Sequence, residues 1–177
     1  MRWNLIDKFI DIVDGESAVA IKTWSLAEDH LHDLYPDFPI VPHALIVEGM
    51  AQTAGLLVGD ARGFKEKVVL AKVGKAVFHR IVRPGNTILL MAKVDQLNDQ
   101  GASITGRVVF GNAASAKVSG SVSDAGPGDD LVAEIELMFS HIDQNMSGTK
   151  FPEHNFVFVN SFKRLLNDYR LGNALKL

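Results

Sequence analysis

The sequence predicts an α+β fold in which an antiparallel sheet curls around one buried helix. Two observations predict it. A strand-like segment, Ala18–Ser25, is followed by a strongly apolar helical segment, His43–Gly59. After that helix, short or alternating apolar runs follow one another directly, as strands do. An apolar helix must be surrounded by protein, and strands without intervening helices favour antiparallel pairing, so the order of elements favours a sheet wrapped around the helix.

The first elements contain one strand and one proline-rich loop. Ala18–Ser25 partly alternates apolar and polar residues, and it comes after a turn at Asp14–Gly15. Pro36, Pro39 and Pro42 follow at intervals of three. Each proline fixes φ and removes an N–H group, so we expect extended backbone here. A helix can begin at Pro42, because a missing N–H costs little at a helix start.

The helix His43–Gly59 is apolar on almost every side, and it is interrupted by Glu48 and Gln52. This composition predicts a core helix. After the helix, the spacing of the apolar residues changes to the alternation or short runs typical of strands. The predicted strands are Val68–His79, Thr87–Leu97, Ala102–Phe110, Ala116–Val122 and Leu131–His141.

We expect residues 1–141 to form the main domain and residues 142–177 to form a C-terminal extension with a short amphipathic helix. An apolar stripe at i, i+3, i+4 and i+7 predicts that helix, and Asn160 or Ser161 could cap it. We expect it to dock on the domain or on a second subunit. From His141 onward, five Lys and Arg against three Asp and Glu hint at an acidic partner. The stripe consists of Phe162, Leu165, Leu166 and Tyr169.

The composition excludes several classes of function. Eighteen Lys and Arg against 21 Asp and Glu in 177 residues argue against nucleic-acid binding. The chain has no cysteine, which excludes disulfides, thiolate zinc sites and a cysteine nucleophile. The longest apolar run, Ala44–Val58, is shorter than the ~20 residues of a membrane span. Because charged residues interrupt Met1–Asp14, no signal peptide is predicted, and we expect a cytoplasmic protein.

Glu48 is the residue hardest to explain as structure. A carboxylate in an apolar helix must be paired, hydrogen-bonded or partly protonated, and such groups concentrate at active sites. A buried salt bridge or a solvent gap is the structural alternative. Gln52, one turn later on the same face, could bond Glu48, orient a ligand, or simply be a satisfied buried amide.

His43 lies at the helix start, where free N–H groups stabilise an oxygen that carries negative charge. Five residues separate it from Glu48, which is about 140° around a helix, so the two do not share a face. If both act in one site, the second residue comes from the irregular first turn or from a second subunit. His30, His32 and His79 have no metal-ligand spacing, and no metal is expected.

At these residues the chain resembles a known family. Leu34–Leu57, LYPDFPIVPHALIVEGMAQTAGLL, is similar to the HFPGxPxMPGxLxxEAMAQ segment of β-hydroxyacyl-acyl-carrier-protein dehydratases of the FabA/FabZ type. Lys75–Asn86 (KAVFHRIVRPGN) resembles the family's strand and turn ending in PGD, and Glu134–Ser140 (EIELMFS) resembles its final strand. The resemblance covers roughly Asn4 to His141, and the tail lies outside it.

The resemblance implies a hot-dog fold, a long helix wrapped by an antiparallel sheet, and homodimers, possible units of a higher oligomer, with joined sheets and sites at the dimer interface. It also implies dehydration of a β-hydroxyacyl thioester by a loop His and a helix Glu or Asp of the other subunit, in fatty acid or related acyl-chain biosynthesis. Glu48 matches the acidic residue, and Gln52 matches the family glutamine. The substrate arrives on the phosphopantetheine of acyl carrier protein, and no other cofactor is implied. The residues expected to bind it are Phe38, Pro42, Ala44, Gln52 and Phe78.

Three positions depart from the family pattern. Leu34 occupies the position of the catalytic His, Asp37 that of the following glycine, and His43 that of the helix-start glycine. A missing proton-transfer group typically costs ~10²–10⁴-fold in rate. The backbone N–H of His43 can still polarise a thioester carbonyl, and its imidazole is a candidate replacement for the lost one.

Two hypotheses follow. In the first, the chain is a hydro-lyase with Glu48 and His43 as catalytic residues, and a hot-dog thioesterase is a variant of this hypothesis. In the second, it is a non-catalytic acyl-binding or scaffold subunit that keeps the fold and the dimer without the chemistry.

Overall fold

The computed structural model describes residues 4–111, 130–145, 148–158 and 160–174. Within these residues the strands are β1 (Lys8–Val13), β2 (Ser17–Thr23), β3 (Val68–Phe78), β4 (Thr87–Asn98), β5 (Gly101–Phe110) and β6 (Leu131–His141). The helices are α1 (His30–Asp33), α2 (His43–Ala61), α3 (Ile142–Asn145) and α4 (Asn160–Ala174).

The strands form one sheet in the order β1-β2-β4-β5-β6-β3, and every described neighbouring pair is antiparallel. Gly15, with φ 68°, turns the chain between β1 and β2, a backbone conformation that glycine adopts without strain. β4 and β5 form a second hairpin, in which Asn98 pairs with Gly101. Among the strands that the structure describes, β3 pairs only with β6 and therefore lies at an edge of this sheet.

α2 is the central helix, and it packs against β2, β3, β4, β5 and β6. Twelve of its residues are buried, among them Met50, Ala54 and Leu56. This arrangement confirms the α+β fold with an antiparallel sheet around a core helix. Because the chain turns at Gly63, with φ 61°, rather than at Gly59, the helix runs two residues beyond its predicted end.

α4 covers the same core with its predicted apolar stripe. Phe162 and Leu166 are 2% and 1% exposed, and Leu165 and Tyr169 pack beside them. The hydroxyl of Tyr169 accepts a hydrogen bond from the N–H of Ile12 in β1 at 3.2 Å. The tail helix therefore docks on its own chain. The division of the chain at residue 141 stays a prediction.

Three elements were not predicted, β1 and the four-residue helices α1 and α3. β1 carries Lys8, Asp11 and a register shift at Phe9, so its alternation is broken. α1 has four residues, fewer than a helical period needs to show. The predicted strand Ala116–Val122 lies outside the described residues. No helix in the described part of the chain is long and apolar enough to cross a membrane.

Candidate functional site

The first turn of α2 brings three of the predicted site residues together. Pro42 is the residue before the helix, with φ −56° and ψ 133°, and its carbonyl accepts from the Leu45 N–H at 2.9 Å. The ring of His43 stacks on the ring of Phe78, with centroids 3.9 Å apart and planes 3° from parallel. Phe78 is the last residue of β3, so the end of that strand holds the imidazole at the start of the helix.

This helix start can also bind an oxygen that carries negative charge. The Leu45 N–H already donates to Pro42, but the backbone N–H groups of His43 and Ala44 have no acceptor within the helix, and the helix dipole adds partial positive charge there. His43 and Ala44 are both exposed in the single chain. A thioester oxygen placed at this turn would therefore meet N–H donors beside the stacked imidazole.

Glu48 lies further along α2 and is half-buried. The side-chain amide of Gln52 donates a hydrogen bond to Glu48 Oε1 at 3.0 Å. The amide oxygen of Gln52 accepts a second bond from the buried backbone N–H of Leu5 at 2.8 Å. The i, i+4 bond that helix spacing allows is present. Gln52 is 3% exposed, so its amide is fixed by the Leu5 N–H and in turn orients the carboxylate.

Gly49 explains how the Leu5 backbone reaches this helix. A Cβ at Gly49 would lie 3.0 Å from the carbonyl oxygen of Leu5 and 3.2 Å from Leu90 Cδ1. An L side chain here would therefore press against the Leu5 backbone, whose N–H anchors Gln52. The glycine between Glu48 and Met50 thus permits the close approach on which the Glu48–Gln52 pair depends.

A cavity of about 230 Å³ runs along the same face of α2. Its α2 residues, spaced at i, i+3, i+4 and i+7, begin with Glu48. Except for Glu48 and Gln52, its lining is apolar. The lining residues are Glu48, Ala51, Gln52, Gly55, Val68, Val69, Leu70, Phe139, Val157, Phe158 and Phe162. A carboxylate fixed at one end of an apolar cavity is an arrangement suited to a molecule with a polar reactive end and an apolar chain.

The remaining predicted residues lie in the loop before α2. Leu34 follows α1 and is 53% exposed. Phe38 is also exposed, and the guanidinium of Arg83 lies 4.0 Å from its ring centroid. The Val41 N–H donates to the Val82 carbonyl at 2.9 Å and ties this loop to the segment after β3. Contacts thus join Pro42, His43 and Phe78 in one group and Glu48 and Gln52 in another, while Phe38 contacts Arg83.

Two charged groups with displaced pKa values belong to a different part of the chain. Hydrogen bonds to Glu66 and Asp99 raise the pKa of Arg62. The ammonium of Lys67, 2.8 Å from Asp143 Oδ1, holds the pKa of that carboxyl below its ordinary value. Both groups fasten the segment after α2 to its surroundings. Nowhere in the described ranges do three or more His, Asp or Glu side chains form a group able to hold a metal ion.

Among the residues of this site that the sequence did not predict are Leu5, Phe158 and Phe162. Leu5 contributes only a backbone N–H, for which a sequence carries no signal. Phe162 belongs to the predicted stripe of α4, yet the stripe does not reveal which cavity it borders. Phe158 lies in an irregular segment before α4, where no periodicity marks it.

Comparisons with known proteins cover most of the chain. Residues 1–137 match the FabA-like domain. The chain is 35% identical over 136 residues to the 3-hydroxyacyl-[acyl-carrier-protein] dehydratase FabZ of Thermoanaerobacter sp., covering 76% of this chain and 84% of that protein. It is 38% identical over 94 residues to FabZ of Caldanaerobacter subterraneus, covering 52% of this chain and 67% of that one. The fold is similar to that of the dehydratase heterocomplex ApeI:P from Xenorhabdus doucetiae, with a TM-score of 0.53, 15% identity, and 73% and 92% of the two chains covered.

Proposed function

The chain belongs to the FabA-like family and has the hot-dog fold, and from this premise we propose that it removes water from a β-hydroxyacyl thioester carried by acyl carrier protein. The observation that carries the proposal is the carboxylate of Glu48, oriented by Gln52 at one end of an apolar cavity. The curated relatives named above are dehydratases of 3-hydroxyacyl groups on that carrier. A cytoplasmic location agrees with such a substrate.

The reaction needs two proton transfers. A base takes the proton from the carbon next to the thioester carbonyl, and negative charge develops on the carbonyl oxygen. An acid gives a proton to the β-hydroxyl, the C–O bond breaks, and water leaves as the C=C bond forms. The N–H groups at the first turn of α2 would stabilise the developing oxyanion. Because Glu48 Oε1 accepts the Gln52 bond, Oε2 is the oxygen that we assign to substrate.

We assign the second proton transfer to the imidazole of His43. Its ring is held against Phe78, and it is exposed at the helix start. Within one subunit, His43 and Glu48 project from different sides of α2, about 140° apart. We therefore assign each site to two subunits, with Glu48 from one and His43 from the other. Pro42, Ala44 and Phe38 would complete the substrate contacts near the helix start.

The edge strand β3 supports a dimer. Its outer edge, which pairs with no strand of the described residues, runs over the 11 residues from Val68 to Phe78, and Leu70, Val73 and Val77 on it are 37–42% exposed. A long apolar edge strand is a template for pairing with another chain. Two β3 strands paired edge to edge would join the sheets and bring two copies of α2 together. We propose this dimer as the functional unit.

The test is product analysis with β-hydroxyacyl thioesters and four proteins, the wild type, His43→Ala, Glu48→Gln and the surface control Glu153→Gln. Dehydration produces an enoyl thioester, whereas a thioesterase releases a free thiol. We expect enoyl product from the wild type and the control, and a ~10²–10⁴-fold lower rate from His43→Ala. Full activity of His43→Ala would remove its assigned role. Mixing His43→Ala with Glu48→Gln should restore activity above that of either alone if the site is shared between subunits.

One observation favours a second candidate, a non-catalytic acyl-binding subunit. The resemblance to the family pattern places Leu34 at the position of the catalytic His, and a leucine side chain cannot transfer a proton. This candidate predicts tight binding of acyl-pantetheine with neither enoyl product nor free thiol. The same product analysis therefore distinguishes a dehydratase, a thioesterase and a subunit that catalyses neither reaction.

A further inference from the structure

The cavity beside Glu48 has a far wall that comes from outside the FabA-like domain. The domain match ends at residue 137, whereas Val157, Phe158 and Phe162 line the cavity. Phe158 packs on Gly59, where a Cβ would lie 2.8 Å from two of its ring carbons. Gly59 lies about three helical turns beyond Glu48 on α2. Phe158 therefore lies at the end of the cavity opposite the carboxylate.

The C-terminal extension holds the rings of Phe158 and Phe162 in fixed positions. Phe158 and Phe162 are 4% and 2% exposed, and Phe158 meets Phe64 edge-on with centroids 5.1 Å apart. The side chain of Asn155 fixes the turn before Phe158. Its amide donates to the carbonyls of Phe64 and Glu66, and its oxygen accepts from the N–H groups of residues 157 and 158.

Two contacts anchor α4, which contains Phe162 and follows Phe158. The guanidinium of Arg170 lies 2.6 Å from Asp60 Oδ2 near the end of α2. The hydroxyl of Tyr169 accepts from the Ile12 N–H in β1. The wall is therefore fastened to both the central helix and the sheet, so it limits the cavity as a fixed surface and not as a loose cover.

We propose that this tail wall, formed by Val157, Phe158 and Phe162, sets the longest acyl chain that the protein accepts. The inference rests on the proposed function. With the thioester end at Glu48, the apolar lining leads away from the carboxylate toward the two rings. An unbranched acyl chain has the apolar chemistry of this lining, and its length is limited where Phe158 closes the far end. The wall acts on chain length, while Glu48 acts on the reacting carbons.

The experiment measures kcat/KM for β-hydroxyacyl thioesters from hydroxybutyryl to hydroxypalmitoyl with the full chain. Phe158→Leu and Phe162→Leu remove ring atoms from the tail wall and lengthen the cavity, whereas Val157→Phe adds a ring and shortens the cavity. Phe156→Leu is the matched control, because Phe156 belongs to the same tail but is 43% exposed. Each methylene group newly admitted is expected to raise relative kcat/KM by about fourfold. We expect the two leucine variants to favour longer chains, Val157→Phe to favour shorter ones, and the control to match the wild type.

Binding separates this proposal from the proposed function. Calorimetry with S-alkyl N-acetylcysteamine thioethers of graded length reports the length limit without turnover. A limit that moves with the wall variants, in a protein without turnover, would support the wall and contradict the dehydratase. Turnover with a limit that stays at the wild-type length in all three variants would overturn the wall and leave the dehydratase standing. Absence of probe binding, together with dissociation of the dimer in Phe162→Leu, would assign the cavity to a second copy and overturn the proposal. If a leucine variant unfolds, Val157→Phe, at a half-buried position, still tests the proposal through its effect on the chain-length limit.

Discussion

Replacing Gly59 by alanine tests the packing of the tail against the central helix. Alanine in a helix is favoured over glycine by about 1 kcal/mol. The new Cβ would lie 2.8 Å from two ring carbons of Phe158 and 2.9 Å from Phe64 Cε1, so the rings must shift. Overpacking of this kind costs about 1–3 kcal/mol. The balance is a loss of about 1 kcal/mol in the free energy of unfolding.

Gly55→Ala is the matched control on the same helix. Its Cβ would meet Phe139 at 3.5 Å, an ordinary van der Waals contact. The helical preference for alanine then acts unopposed, and we expect a gain of about 0.5–1 kcal/mol. Urea denaturation followed by circular dichroism measures both variants, and thermal unfolding should show opposite shifts of about 2–4 °C per kcal/mol.

The most direct test repeats Gly59→Ala in a protein that already carries Phe158→Leu. With the ring removed, Gly59→Ala should lose the part of its penalty that Phe158 causes, while the contact with Phe64 Cε1 remains, so the double-mutant cycle should give a coupling of about 0.5–1 kcal/mol. The reasoning is refuted if Gly59→Ala stabilises the wild type as much as Gly55→Ala does. Equal effects of Gly59→Ala in the two backgrounds would refute it as well.

Two further perturbations test the site and the electrostatics. Gln52→Leu leaves the buried Leu5 N–H without its acceptor and removes a hydrogen-bond donor from Glu48. The free energy of unfolding from urea denaturation should therefore fall by about 2 kcal/mol, and dehydration should slow. Unchanged stability would contradict the assigned bonds. Asp143→Asn removes a carboxylate whose pKa Lys67 lowers. Because Asp143 is exposed and water screens the pair, the variant should be about 0.5–1 kcal/mol less stable at pH 7. Because that contribution is lost as Asp143 protonates, the difference from wild type should shrink below about pH 4, and a difference independent of pH would refute the pairing.

Much of the fold could be predicted because its helix and strands carry long or repeated apolar segments. The helix around Met50 is apolar on almost every side, and Thr87–Asn98 and Leu131–His141 have the short apolar runs of buried strands. β1 could not be predicted, because charged residues and a bulge interrupt its alternation. The sequence predicts the end of α2 two residues too early, because Gly59 resembles a helix terminator, whereas its missing side chain makes room for Phe158.

The candidate site, like the fold, could be predicted from the sequence only in part. Helix spacing alone put Glu48 and Gln52 on one face, and their bond is local. The bond from Leu5 to Gln52 joins residues 47 positions apart, and the wall at Phe158 depends on a turn fixed by Asn155. Such contacts depend on tertiary packing and leave no pattern in the sequence. The roles of His43 and Glu48 in one shared site stay predictions.

The rate of β-hydroxyacyl thioester dehydration by the wild type and by Glu48→Gln tests the central claim most directly. The substitution keeps the shape of the side chain and removes its ability to exchange a proton. We predict measurable enoyl formation by the wild type and a ~10²–10⁴-fold lower rate in the variant, with the folded state preserved in urea denaturation. Equal rates in the two proteins, or acyl-thioester binding by the wild type without any enoyl product, would contradict it.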